Sequence, residues 1–202
     1  MTPYNPARFI PRLPPFTITG LLPPYIGTDP AYQPYMAPYA TTVDVVAGQL
    51  PQSPARAAIL RGFLAFRRAL SQAGLTDGFQ WLNGSFMELI ELREARDPND
   101  LDVVTFFHRP AHLRNAPDWD DFVQSNLSLF QPGLNRNQYY CDAYFVDLDI
   151  DPIDLVAQTR YWYGLFSHRR VTGEWKGMIE VPLALTPADA AASALVSPGA
   201  TP

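Results

Sequence analysis

Leu82-Asn-Gly-Ser-Phe86 closes the apolar stretch Phe79-Gln-Trp-Leu82, and Asp100-Leu-Asp-Val-Val-Thr-Phe-Phe107 comes after a short interval. This pairing constrains the fold more than any other feature. The first stretch reads as a strand that ends in a small Gly-Ser turn, with Ser85 to Glu94 as a short helix. Such a turn leaves backbone N–H groups free at a helix N-terminus, where an anion is favoured. The second stretch reads as another strand. Alternate residues of a strand share a face, so Asp100 and Asp102 are expected side by side. Two adjacent carboxylates repel one another, and hard oxygen donors of this kind suit Mg²⁺. An anion cradle beside a dicarboxylate is equipment for metal-assisted phosphoryl or nucleotidyl transfer.

At 202 residues the chain is long enough for one domain with a proper core, with or without appendages. Hydrophobic residues make up 47% and charged residues 17%, which places it among globular rather than disordered chains. A net charge of -5 argues against broad binding to the DNA duplex, while leaving room for a small acceptor or an RNA in a local basic groove. Cys141 stands alone, so no intramolecular disulfide is available, and a reducing, cytoplasmic setting is expected. No apolar run is long enough to span a membrane and no signal peptide is evident.

Twelve of the 21 prolines fall in residues 1–54, interleaved with Tyr4, Tyr25, Tyr32, Tyr35 and Tyr39. Proline removes donors and disfavours helix before it, so this arm is expected as turns and polyproline II. Its apolar content predicts that it wraps over the domain; binding of a partner is the alternative. Thr42 to Val46 is expected as a short strand.

The domain proper, residues 55–185, opens with a helix capped by Ser53 and started by Pro54. Its apolar face is Ile59, Leu60, Phe63, Leu64 and Leu70. Arg56, Arg61, Arg67 and Arg68 are read as its solvated side. A helix capped by Asp118 is expected to run to Phe130, where Pro132-Gly133 breaks it. A strand from Tyr139 to Val146 carries Asp142. Another helix runs from near Pro152 toward Phe166, Lys176 to Leu183 forms a last strand, and Thr186 caps an alanine-rich helix within residues 186–202, ending in a frayed tail. The alternation predicts an α+β (mixed α/β) fold, a sheet with helices mainly on one face.

Gly84-Ser85 followed by Asp100-x-Asp102 resembles the signature of the polymerase-β-like nucleotidyltransferase superfamily. Together with Pro98 to Val104, Cys141 to Phe145 and Lys176-Gly177, it resembles a small bacterial group of nucleotidyltransferase-like proteins. The resemblance covers roughly residues 55–183, and its wide Ser85-to-Asp100 spacing implies that Arg93 to Asn99 bulges out. It implies that the sheet is small and mixed, with neighbouring strands near 79–83, 101–107 and 139–147 and with Asp142 as the third carboxylate. It further implies two Mg²⁺ ions on Asp100, Asp102 and Asp142, an NTP donor, phosphates bound by Gly84 and Ser85, and Asp142 as general base. Lys176, His168-Arg-Arg170, Arg93 and Arg96 are candidates to reach phosphates, or else surface. The implied reaction moves a nucleoside monophosphate to an acceptor: an RNA end, a protein hydroxyl or a small molecule. A toxin–antitoxin or phage-defence setting is part of the same implication.

Duller readings stand beside these. Asp147, Asp149 and Asp151 crowd Asp142's segment and are expected on the opposite parity. Glu88 and Glu91 read as solvated, and Trp162 and Tyr163 as core rather than a stacking platform. His108 and His112 have helical zinc-ligand spacing, but Pro110 interrupts it and no third ligand is obvious. Cys141 in a strand beside Asp142 is a poor nucleophile. A catalytically silent nucleotidyltransferase-fold module for binding or scaffolding is the alternative function.

Overall fold

A computed structural model describes residues 9–32, 35–50 and 53–197. Tyr4 and the tail at 198–202 lie outside the described residues. The mixed α+β architecture is as expected. Five strands, β1 (Tyr39–Ala40), β2 (Gly78–Asn83), β3 (Leu101–Phe107), β4 (Cys141–Asp147) and β5 (Ile179–Pro182), form one sheet in the order β1-β5-β2-β3-β4. β3 and β4 are parallel, as are β1 and β5, whereas β2 runs antiparallel to both β3 and β5.

Side-chain alternation splits the strands between two layers. Leu82, Leu101, Val103, Phe107, Ile179 and Val181 face the main core. There they meet α1 (Val43–Gln49), α2 (Pro54–Gln72) and α8 (Pro187–Leu195). α4 (Ala116–Ser125), α5 (Leu127–Phe130) and α6 (Pro132–Tyr139) pack on the same side. Trp81, Val104, Phe106 and Val146 face the other way, against Trp162, Tyr163 and Phe166 of α7 (Pro152–Phe166). Helices therefore lie mainly on one face, with α7 covering part of the second.

Local chemistry explains most boundaries. The Ser53 side chain accepts from the Arg56 N–H, Asp151 caps α7 through Ile153, and Thr186 and Asp189 form a reciprocal capping box on α8. Several expectations need correction. Thr42 to Val46 is not a strand: Val43 to Gln49 is helical, and the edge strand is Tyr39–Ala40. Asn115, not Asp118, caps α4, its Oδ1 accepting from the Asp118 N–H. The helix expected to reach Phe130 breaks at Asn126. Pro132 begins a helix rather than only ending one, because its fixed φ suits a first helical turn; β4 accordingly starts at Cys141, after left-handed Tyr140.

Arg56 and Arg67 are not solvated. Both are buried on the sheet side of α2. Arg56 pairs with Glu91 and donates to the carbonyls of Phe86 and Glu88, pinning the segment after the Gly-Ser turn. Arg67 pairs with Asp189 and donates to Gln80 and the Pro182 carbonyl, tying α2, α8, β2 and β5 together. Leu13, Leu21 and Leu22 are buried, so the proline-rich segment contributes to the core as well as supplying β1 and α1. Gly177 permits part of that contact. Its N–H donates to the Leu22 carbonyl, and a Cβ there would sit 2.3 Å from the Pro23 oxygen.

Candidate active site

The parallel register of β3 and β4 places Asp102 directly opposite Asp142, and the antiparallel register of β2 and β3 places Asn83 opposite Asp102. By parity all three lie on the α7 face, at the sheet end where β2 stops and β3 and β4 begin. Asp100 sits just before β3. The three carboxylates named by the sequence thus line one cleft of about 270 Å³, together with Gly84, Ser85 and Lys176.

Asn83 shapes the turn from both ends of its amide. Its Oδ1 accepts the Gly84 N–H at 2.7 Å, and its Nδ2 donates to the Phe166 carbonyl at 2.7 Å, fastening the turn to the end of α7. Gly84 has φ +85 and ψ −169, a conformation that only glycine adopts easily. A Cβ on it would lie 2.5 Å from Asp102 Oδ2, so the backbone comes as close to that carboxylate as a side chain would forbid. The continuous helix expected from Ser85 to Glu94 does not form. Instead a single 3₁₀ turn, Ser85–Met87, precedes α3 (Ile90–Glu94). The Met87 and Glu88 amides are bonded to the Gly84 and Ser85 carbonyls, so the anion cradle expected of a helix start is reduced to the turn itself and the Ser85 side chain.

Burial, then Asp100 and then Asp142, push the Asp102 carboxyl up to about 6. Three acids gathered at a strand end need a cation. In this structure the cation is Arg136, whose guanidinium is 2.6 Å from Asp100 Oδ2 and 3.4 Å from Asp142 Oδ2. It reaches them from the last turn of α6, which leads through Tyr140 straight into β4. Buried Asn135 fixes that turn by donating to the Leu129 and Ala143 carbonyls. With Arg136 between them, the acids do not form a closed metal cage: among the described residues no three acidic, histidine or cysteine side chains do. The donor set itself, all carboxylate oxygen on a partly open cleft, is of the type that suits Mg²⁺.

The opposite wall is basic, with a buried acid within it. Lys176 Nζ donates to Glu88 Oε1 at 2.8 Å, and the Arg169 guanidinium lies 3.4 Å from Glu88 Oε2. Burial lowers the Lys176 pKa, while Glu88 holds it up. Glu88 is therefore not solvated as its place in the sequence suggested, but 4% exposed and fully committed. His168 and Arg170 complete this wall. Arg93 pairs with Glu174 at 3.1 Å and approaches Glu88, so it acts behind the wall. Arg96 lines the rim and pairs with Glu94.

The remaining candidates lie elsewhere. Asp147 pairs with Arg109, Asp149 with His108 and its neighbouring amide, and Asp151 caps α7, so these acids belong to the other end of β4. Cys141 is buried, with its thiol pushed up by burial and the nearby acids. Arg136 and Asn83 were missed by sequence reasoning. Pro132 after Gln131 was a readable helix start that would have put Arg136 on the turn leading into Asp142's strand.

Fold and cleft together define an α+β protein with an acid-floored, base-walled polar site at the start of two parallel strands. Residues 14–182 match the profile of DUF6932, a family of unknown function, and the chain belongs to that family. No curated protein and no solved structure matches it. No helix among the described residues is long and apolar enough to cross a membrane.

Proposed function

We propose that the protein is a nucleotidyltransferase that moves a nucleoside monophosphate from an NTP to an acceptor hydroxyl. The observation that carries this reading is the convergence of Asp100, Asp102 and Asp142 beside Gly84-Ser85, with Lys176 and Arg169 lining the same cleft. A triphosphate has the shape and charge for such a place: acids at the reacting end, cations along the leaving group.

Asp100, Asp102 and Asp142 would hold Mg²⁺ once Arg136 gives way. Bound there, Mg²⁺ supplies charge neutralisation at the phosphoryl oxygens and lowers the pKa of the acceptor hydroxyl. Ser85 orients the outer phosphates, and Lys176, whose charged form is favoured by Glu88, offsets the charge growing on pyrophosphate. Asp142 takes the acceptor's proton. The acceptor oxygen forms a bond to the α-phosphorus as the bond to the bridging oxygen of the β-phosphate breaks, and pyrophosphate departs.

A catalytically silent module is the second reading, and Arg136 is the observation that favours it, since a guanidinium seated on the acids could replace the metal for good. Incubation with Mg²⁺, each labelled NTP and a pool of RNA, protein and small-molecule acceptors tests the two. Pyrophosphate release or labelling that is lost in Asp100→Ala and Asp102→Ala supports transfer; silence with every nucleotide and acceptor supports the module.

A further inference from the structure

A second hollow, of about 400 Å³, lies between β4 and α7 and shares Asp102, Asp142, Leu165, Phe166 and Arg170 with the carboxylate cleft. Its remaining wall is aromatic: Tyr144 from β4, with Tyr161 and Trp162 from α7. We infer that this hollow receives the acceptor by a flat aromatic ring, so that the acceptor is a nucleoside monophosphate unit with its ring on the aromatic wall, its hydroxyl toward Asp142 and its phosphate toward Arg170. The inference rests on the nucleotidyltransferase reading for the word acceptor, but the binding itself does not.

The two hollows differ in the residues they do not share. The first is walled by Lys176, Arg169 and Ser85, groups for phosphates; the second offers rings. The carboxylates stand between, where a hydroxyl from one side would meet a phosphorus from the other. The ring wall is also more than core packing. Trp162 sits 4.7 Å from Tyr144 and 5.0 Å from Tyr161 between centroids, yet Tyr161 is 59% exposed and Arg170 is exposed as well. The Tyr144 hydroxyl donates to Asp142 Oδ2 at 3.4 Å, so occupancy of the aromatic side is felt at the acid. A base stacked on aromatic side chains binds with little regard to its identity, so adenine and uracil should both be accepted.

The test uses the full chain and tryptophan fluorescence, with AMP, a short single-stranded RNA ending in adenosine, and ribose 5-phosphate as the ringless control. AMP should quench, the signal should vanish in Trp162→Phe, and ribose 5-phosphate should bind about tenfold more weakly. Tyr161→Ala, at an exposed position that leaves the fold intact by circular dichroism, should weaken AMP by about the same factor. Tighter binding of the RNA than of AMP assigns the hollow to a strand end, and equal binding to a free nucleotide. Equal affinity for AMP and ribose 5-phosphate, no effect of Tyr161→Ala, or complete displacement of AMP by a non-hydrolysable NTP analogue would overturn the inference. AMP binding without pyrophosphate release under any condition sinks the transferase reading alone. Release without AMP binding sinks only the aromatic site.

Discussion

Asp102 and Asp142 are direct partners across the parallel strands β3 and β4, on the face that carries α7. Neither strand alone brings the acids together. Their proximity, with Asp100, has an electrostatic consequence that can be measured.

The Asp102 carboxyl is raised from 3.8 to about 6, chiefly by burial and then by its two acidic neighbours. Between those values the native state holds a proton that the unfolded chain has released, so this group makes stability fall as pH rises through the window. Asp102→Asn should therefore stabilise the metal-free protein by about 1–2 kcal/mol at pH 7.5 and by nothing below about pH 4. Urea unfolding at the two pH values decides it; an equal effect at both would contradict the raised carboxyl.

Arg136 links Asp100 and Asp142 from a half-exposed position. Arg136→Ala removes the only guanidinium bridging these two acids among the described residues. Metal-free stability should drop by about 1 kcal/mol. Mg²⁺ should in turn bind about tenfold more tightly, read as a larger rise in melting temperature at a given Mg²⁺ concentration. If Mg²⁺ does not raise the melting temperature of either protein, the metal site is not there.

Gly84→Ala meets two obstacles, the backbone conformation and the Asp102 carboxylate 2.5 Å from the new Cβ. A loss of about 1–3 kcal/mol is expected from the backbone alone. Because the carboxylate must move, the Mg²⁺-dependent thermal shift should disappear at temperatures where circular dichroism reports a native fold. Retention of the full shift would mean that Asp102 is not needed where it now stands.

Arg67 is buried with Asp189, Gln80 and the Pro182 carbonyl as partners. Arg67→Ala leaves them without their cation and should cost about 3–5 kcal/mol. Arg67→Lys should recover only part of this, since a single ammonium cannot replace a planar fork that serves several acceptors. Chemical denaturation of both variants measures the difference.

The buried arginines mark one limit of reading this chain from its residues. On α2 the apolar stripe and the caps Ser53 and Pro54 are local signals, and the helix is where they put it. That Arg56 and Arg67 point inward depends on Glu91 and Asp189, 35 and 122 residues away. Glu88 is a similar case, since its partners Lys176 and Arg169 belong to the last third of the chain. The aromatic wall was also out of reach. Trp162 has the spacing of a core residue whichever side it serves, and only the approach of α7 to β4 sets it beside Asp142.

The residues by themselves determined the alternation of helices and strands, the strand that carries Asp102, the parity that puts Asp142 rather than Asp147 on its face, and the tight turn at Gly84. These depend on interactions within a few positions: side-chain alternation, caps and the conformational range of glycine. Tertiary structure alone decided that Arg136 sits on the acids, that Glu88 is buried among cations, and that two hollows meet at one pair of carboxylates. Each of these needs charges or rings from separate elements to be brought within a few ångströms, and no local pattern records which distant partner a side chain will meet.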